Sequence, residues 1–181
     1  MRVLVVYESM FGNTRQVAEA IATGLRQIAN VELRNVADLA RRDVDDFDMI
    51  VAGGPTHAFS MTRPTTRDDA VKQGAVSATT TTGLREWVSG LPTGRHPQLV
   101  ATFDTRVDKV RHLPGSAAKS AANALRRRGY TAAMPPESFY VTDTAGPLLP
   151  GELQRAQSWG QRLGAEAQQH VARASTPGGH P

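Results

Sequence analysis

The 181-residue chain has 40% hydrophobic and 21% charged residues, a formal net charge of +4 and no cysteine. Its length suits one domain with its own core, and its composition is that of a globular rather than a disordered chain. The lack of cysteine excludes disulfides, iron–sulfur clusters, thiolate zinc sites and a cysteine nucleophile.

The charge is uneven. Residues 1–50 hold six basic and eight acidic residues, and residues 51–181 hold fifteen and nine. Only Lys72, Lys109 and Lys119 are lysines; the arginines are scattered, with Arg126-Arg127-Arg128 the only run of three. Scattered arginines with few aromatics between them do not make a nucleic-acid surface. No apolar stretch is long enough for a bilayer, and Val3 to Tyr7 is too short for a signal-peptide core. We therefore expect a cytoplasmic protein without membrane insertion.

Val3-Leu4-Val5-Val6-Tyr7 is a continuous β-branched and apolar run, the mark of a strand buried on both faces. Val17, Ile21, Leu25 and Ile28 follow at helical spacing. Val31 to Val36 predicts a second strand, and Met49 to Ala52 a third that ends in Gly53-Gly54-Pro55. From Pro55 to Thr82 there are 28 residues with little periodicity, including Thr79-Thr80-Thr81-Thr82. A loop of that length inside a domain is usually functional or disordered. Leu84, Trp87, Val88 and Leu91 predict a helix stopped by Gly90 and Pro92, and Leu99 to Phe103 a fourth strand. Ser116 is placed to cap the next helix, whose apolar positions are Ala118, Ala121, Ala122 and Leu125 and whose end carries the arginine triplet, read as a solvated helix terminus. Tyr130 to Val141 predicts a fifth strand interrupted by Pro135-Pro136. Leu153, Ala156, Trp159, Leu163 and Ala167 form the stripe of a final helix. The expected organisation is a domain over residues 1–172 and a flexible tail over 173–181. The βαβ alternation predicts a parallel sheet with helices on both faces.

In such sheets ligands sit at the carboxyl ends of the strands. Three segments lie there. Ser9-Met10-Phe11-Gly12-Asn13-Thr14 joins the first strand to the first helix, offering hydroxyls, an amide, a glycine and a helix N-terminus to an anion, though the same residues also suit an ordinary capped turn. It has no lysine, so it is not a Walker loop, and the dinucleotide glycine pattern is missing too. Gly53-Gly54-Pro55-Thr56-His57-Ala58-Phe59 ends the third strand. His57 and Phe59 are flat surfaces for an aromatic ligand or, equally, a loop histidine and a core anchor. Phe103-Asp104-Thr105-Arg106 ends the fourth strand, where Arg106 offers a cation to a ring that gains charge on reduction or simply faces solvent.

Taken in this order, the three segments resemble the flavodoxin family over roughly residues 1–170. The resemblance implies a five-stranded doubly wound parallel α/β sheet of order 2-1-3-4-5 and a non-covalent FMN. Ser9, Gly12, Asn13 and Thr14 would then form the phosphate loop, with Met10 and Phe11 among its cofactor-binding residues. Pro55, Thr56, His57, Ala58 and Phe59 would form one ring loop, and Phe103, Asp104, Thr105 and Arg106 the other. The Ser-Met-aromatic-Gly start is also similar to quinone reductases of the tryptophan-repressor-binding-protein type. The tryptophan and tyrosine that commonly sandwich the ring in flavodoxins do not occur in the matching loops, and flavodoxins are acidic where this chain is basic. The implied roles are electron transfer with a redox partner protein, or oxidoreduction of a small-molecule electron acceptor, such as NAD(P)H-dependent quinone reduction or porphyrinogen oxidation. A flavin-free binding module is the reading from another class. No catalytic side chain and no metal ligand is expected.

Overall fold

A computed structural model of the chain describes residues 1–39, 44–75 and 82–175. Strand β1 (Arg2–Tyr7) is the centre of the first half of a parallel sheet, and Val3 to Val6 are fully buried. It pairs in parallel with β2 (Asn30–Asn35) on one side and β3 (Met49–His57) on the other. Beyond β3 lies β5 (Leu99–Val107), also parallel. The predicted fifth strand forms in two pieces, β6 (Thr131–Ala132) and β7 (Glu137–Val141), which pair with the two ends of β5. Pro135 and Pro136 lie between them, and proline has no N–H to give to a ladder. The path β2-β1-β3-β5-β6 is therefore the expected 2-1-3-4-5 order.

Alternate residues of β1 face opposite layers. Val3 and Val5 pack with α1 (Asn13–Leu25) and α5 (Glu152–Ser175) through Val17, Ile21, Leu25, Trp159 and Leu163. Leu4 and Val6 pack with α3 (Leu84–Gly90) and α4 (Ala117–Arg127) through Leu84, Trp87, Ala121 and Leu125. Ser116 caps α4 as predicted, its Oγ accepting from the Lys119 N–H at 3.2 Å. Ile28 falls beyond the end of α1, and Leu153 is exposed rather than part of the α5 stripe. Arg128 is not a solvated helix end: its guanidinium donates to the Ser89 and Leu91 carbonyls and ties α4 to the end of α3. Residues 176–181 of the expected tail lie outside the described residues.

Helices α1 and α5 approach until backbone touches backbone. A Cβ on Gly24 would lie 2.1 Å from the Gln157 carbonyl oxygen, and one on Gly160 2.4 Å from that of Ile21. Gly24→Ala is therefore expected to destabilise the protein by about 1–3 kcal/mol through overpacking, the alanine helix preference being the smaller effect. Urea unfolding of the two proteins checks this, and an unchanged midpoint would show that the helices separate freely.

The segment from Pro55 to Thr82 is not the structureless loop its lack of periodicity predicted. β3 continues to His57, turns, and pairs antiparallel with β4 (Ser60–Met61); α2 (Pro64–Lys72) follows, with proline at its start. Burial of single polar residues holds this segment in place. The Arg67 guanidinium is 1% exposed, with Nη1 3.0 Å from both Glu86 Oε2 and Thr62 Oγ1 and 3.9 Å from Glu8 Oε1. Glu8, 6% exposed, also accepts from Thr62 Oγ1 at 2.6 Å and from the Leu84 N–H at 2.8 Å. Arg85 donates to Ser60 Oγ and to the Met61 and Thr62 carbonyls. Residues 76–81, which hold most of the threonine run, lie outside the described residues.

Candidate functional site

The carboxyl ends of β1, β3 and β5 converge on one cleft of about 200 Å³. Its first wall is the loop into α1, through Met10, Phe11, Asn13 and Thr14. Gly12 starts α1 at φ 88°, a left-handed conformation that glycine adopts without strain. The first-turn N–H groups of α1 have no partner within the helix, so they present a positive end to the cleft. Ser9 is buried behind this wall, where its Oγ accepts from the Arg15 N–H at 3.3 Å and fixes the loop. Thr14 Oγ1 and Thr105 Oγ1 are 2.7 Å apart, so one hydroxyl proton is shared between them and the other remains for an acceptor. Asn13 Nδ2 donates to the Ala145 carbonyl at 3.0 Å, drawing in the loop that brings Thr144 to the cleft.

The second wall is Pro55 to Ala58. Thr56 Oγ1 donates to Asp104 Oδ2 at 2.9 Å and accepts from the Ala117 N–H at 2.8 Å, so its hydroxyl is consumed in fixing this wall to α4. Burial lowers the His57 pKa below the ordinary imidazole value, which keeps the ring neutral at pH 7. The third wall is Thr105, Arg106 and Val107, with Val141 of β7 beside it. Arg106 is 5% exposed; Nη2 donates to the Val110 and Leu113 carbonyls at 2.5 and 3.3 Å, and the buried Nε has no hydrogen-bond partner among the described residues.

Ten of the fifteen residues expected at a ligand site thus line one cleft, and five do not. Ser9 and Gly12 shape the first loop from behind. Phe103 shares the face of Thr105 but lies two residues deeper in β5, where Phe139 and Trp159 cover it by edge contacts, so it is fully buried in the core. Asp104 is also fully buried and serves as the acceptor for Thr56 and for the Ala118 N–H. Phe59 is 46% exposed outside the cleft. Val107, Val141 and Thr144 carried no sequence signal, because they reach the cleft only through the length of β5 and the packing of the 143–147 loop.

Residues 4–67 match the family model for the flavodoxin domain. A flavodoxin from Aquifex aeolicus (strain VF5) is 36% identical over 58 residues, a match that spans 31% of this chain and 31% of that relative. Among solved structures, an archaeal flavodoxin superposes with a TM-score of 0.61 at 21% identity, covering 93% of this chain and 99% of that one. Oxidised flavodoxin 2 from Bacillus cereus gives 0.65 at 15% identity, covering 94% and 99%. The doubly wound sheet with one cleft at its carboxyl edge is the flavodoxin-like fold. The resemblance to the flavodoxin family is carried by sequence over the amino-terminal third and by fold over nearly the whole chain.

Proposed function

We propose that residues 1–172 form a cytoplasmic, FMN-binding redox domain that passes electrons to or from a partner. The observation that carries this reading is the placement of an anion cradle with neutral donors beside a slot between two strand-end loops. The N-terminus of α1 with the Thr14 hydroxyl suits a phosphate monoester, and the Pro55–Ala58 and Thr105–Val107 walls suit the sides of a flat ring. The flavin, when bound, accepts and returns electrons, so no protein nucleophile is required. The chain's own residues position and tune it. Asp104 and the start of α4 fix the Thr56 wall, neutral His57 adds a flat polar surface, and Arg106 brings a positive charge to the cleft.

Transfer to a partner is favoured over a closed enzymatic pocket by one feature. The 28-residue segment after Gly54 is long enough to reach over the cleft, but among the described residues 59–75 none lines it. A NAD(P)H-dependent quinone reductase remains the second reading for the same cleft, and the lack of a cleft-lining residue among the described residues 59–75 counts against it.

Reconstitution of the apoprotein tests the cofactor. One FMN per chain is expected; stoichiometric FAD, or no flavin, would overturn the reading. A hydrogen bond to a charged group is worth about 1.5–3 kcal/mol and each 1.4 kcal/mol is about tenfold, so Thr14→Ala should weaken FMN binding tenfold or more while Thr14→Ser keeps it. An unchanged dissociation constant in Thr14→Ala would move the phosphate elsewhere.

A further inference from the structure

We propose that the ridge formed by the β3–β4 turn and residues 106–115 is a docking face for a small acidic redox protein. The identity of the partner as a redox protein rests on the FMN reading, whereas the face itself rests on charge and exposure.

Two large apolar side chains stand in water on this ridge, Phe59 and Leu113, each 46% exposed. Neither is there by slackness of the chain. Ala58 and Phe59 are both held at positive φ, 46° and 61°, as the two central residues of a two-residue hairpin turn, an arrangement that residues other than glycine rarely adopt. The turn is packed on the neighbouring loop: a Cβ on Gly115 would lie 2.7 Å from the Phe59 carbonyl oxygen and 3.0 Å from its Cβ. Arg106 anchors the same loop through the Leu113 carbonyl. The ridge is therefore a formed surface with apolar points beside the cleft, not a mobile tip.

The charges around it are of one sign. Arg85 lies under the turn through Ser60 and Met61, and Ser60 is joined to Ser120 at the start of α4. Exposed Lys109 and Arg111 come from the loop and exposed Lys119 from the first turn of α4. Asp108, paired with Arg111, is the one carboxylate in residues 106–115 and α4, and Glu86 next to Arg85 is paired with Arg67. Lys119 is informative because the positive end of a helix disfavours a cation there, and the first turn holds no acidic residue to offset it. Helix stability does not account for it, whereas recognition of an acidic surface does. Apolar points at the centre of a charged rim are the anatomy of a protein–protein contact, and complementary charge speeds association.

The test uses the FMN-loaded full chain with a small acidic ferredoxin and, as the opposite probe, a basic c-type cytochrome. FMN content is measured separately by absorbance. Association is followed by titration and by stopped flow at low and high salt. We expect the acidic protein to be preferred, its association rate to fall about tenfold or more as salt rises, and a Lys109→Glu/Lys119→Glu double variant to lose most of that preference with FMN affinity unchanged and the unfolding midpoint not lowered. A preference for the basic cytochrome, or rates indifferent to both salt and the double variant, would overturn the proposal. So would a double variant impaired only toward a nicotinamide dinucleotide, which would make the ridge a dinucleotide site. A chain that binds no FMN yet binds the ferredoxin in a salt-dependent way supports the face and overturns the cofactor reading.

Discussion

Replacing Arg67 with methionine is expected to remove about 3–5 kcal/mol of stability, the cost of leaving a buried carboxylate without its cation. The side chain of Arg67 is 1% exposed and touches two acids from different parts of the chain, Glu86 at 3.0 Å and Glu8 at 3.9 Å. The two acids answer differently to the same guanidinium. Burial pushes the Glu8 carboxyl above its ordinary pKa against hydrogen bonds from Thr62 and Leu84 and the charge of Arg67. Glu86 is desolvated as well, but the Gly83 N–H and Arg67 outweigh that and hold it below its ordinary value. Arg67 is thus chiefly the partner of the nearer, more exposed Glu86, and Glu8 bears most of the burial cost. With its pKa raised in the fold, Glu8 takes up a proton in the folded protein before it does so in the unfolded chain. Its contribution to stability therefore improves as pH falls from above the raised value toward 4.5. In Arg67→Met that improvement should be larger, and the double variant Arg67→Met/Glu8→Gln should recover much of the loss at pH 7. Urea unfolding across pH 4.5 to 8 measures all three. If the double variant were as unstable as Arg67→Met at every pH, the cost would lie in packing rather than in the stranded charge.

This cluster also marks the limit of what could be read from the residues alone. Local physics was legible. Val3 to Val6 could only be a strand buried on both faces, Ser116 could be seen as a cap, and Gly90 and Gly129 stand where α3 and α4 end, although β3 runs on through Gly53, Gly54 and Pro55 to His57. The three loops that meet at the cleft followed from the rule that ligands sit at the carboxyl ends of parallel strands. What was hidden is what tertiary contact decides. Arg67 and Glu8 are far apart in the sequence, and nothing in the runs around them shows that they meet, so α2 passed for a loop. Phe103 looked like a ring contact because it starts the segment that ends in Thr105 and Arg106, but it lies deeper along the strand, where Phe139 and Trp159 pack over it. Arg128 looked solvated because its acceptors, the carbonyls of Ser89 and Leu91, belong to another helix.

Arg106→Met is the substitution expected to change the chemistry of the cleft most, assuming the FMN reading. Two unit charges 4 Å apart interact by about 4 kcal/mol at an effective dielectric near 20, and exposure reduces this toward 1 kcal/mol or less. Arg106 belongs nearer the first case than most arginines. It is 5% exposed, its polar contacts are carbonyls rather than a carboxylate, and its Nε is buried without a partner among the described residues. Asp104, two residues away, does not cancel it, because that carboxylate accepts from Thr56 and from the start of α4 instead. A cation at the cleft favours a ligand that gains negative charge on reduction, so its removal should make reduction harder. A loss of about 1–3 kcal/mol corresponds to a two-electron potential lower by about 20–65 mV, since 30 mV is about 1.4 kcal/mol. Arg106→Lys, which keeps the charge but gives up the fork that grips Val110 and Leu113, should fall by less. Spectrally monitored redox titrations of the three proteins check this, with FMN affinity recorded alongside to separate a loosened loop from a lost charge. Equal potentials in all three would mean that the guanidinium serves only to pin residues 107–113.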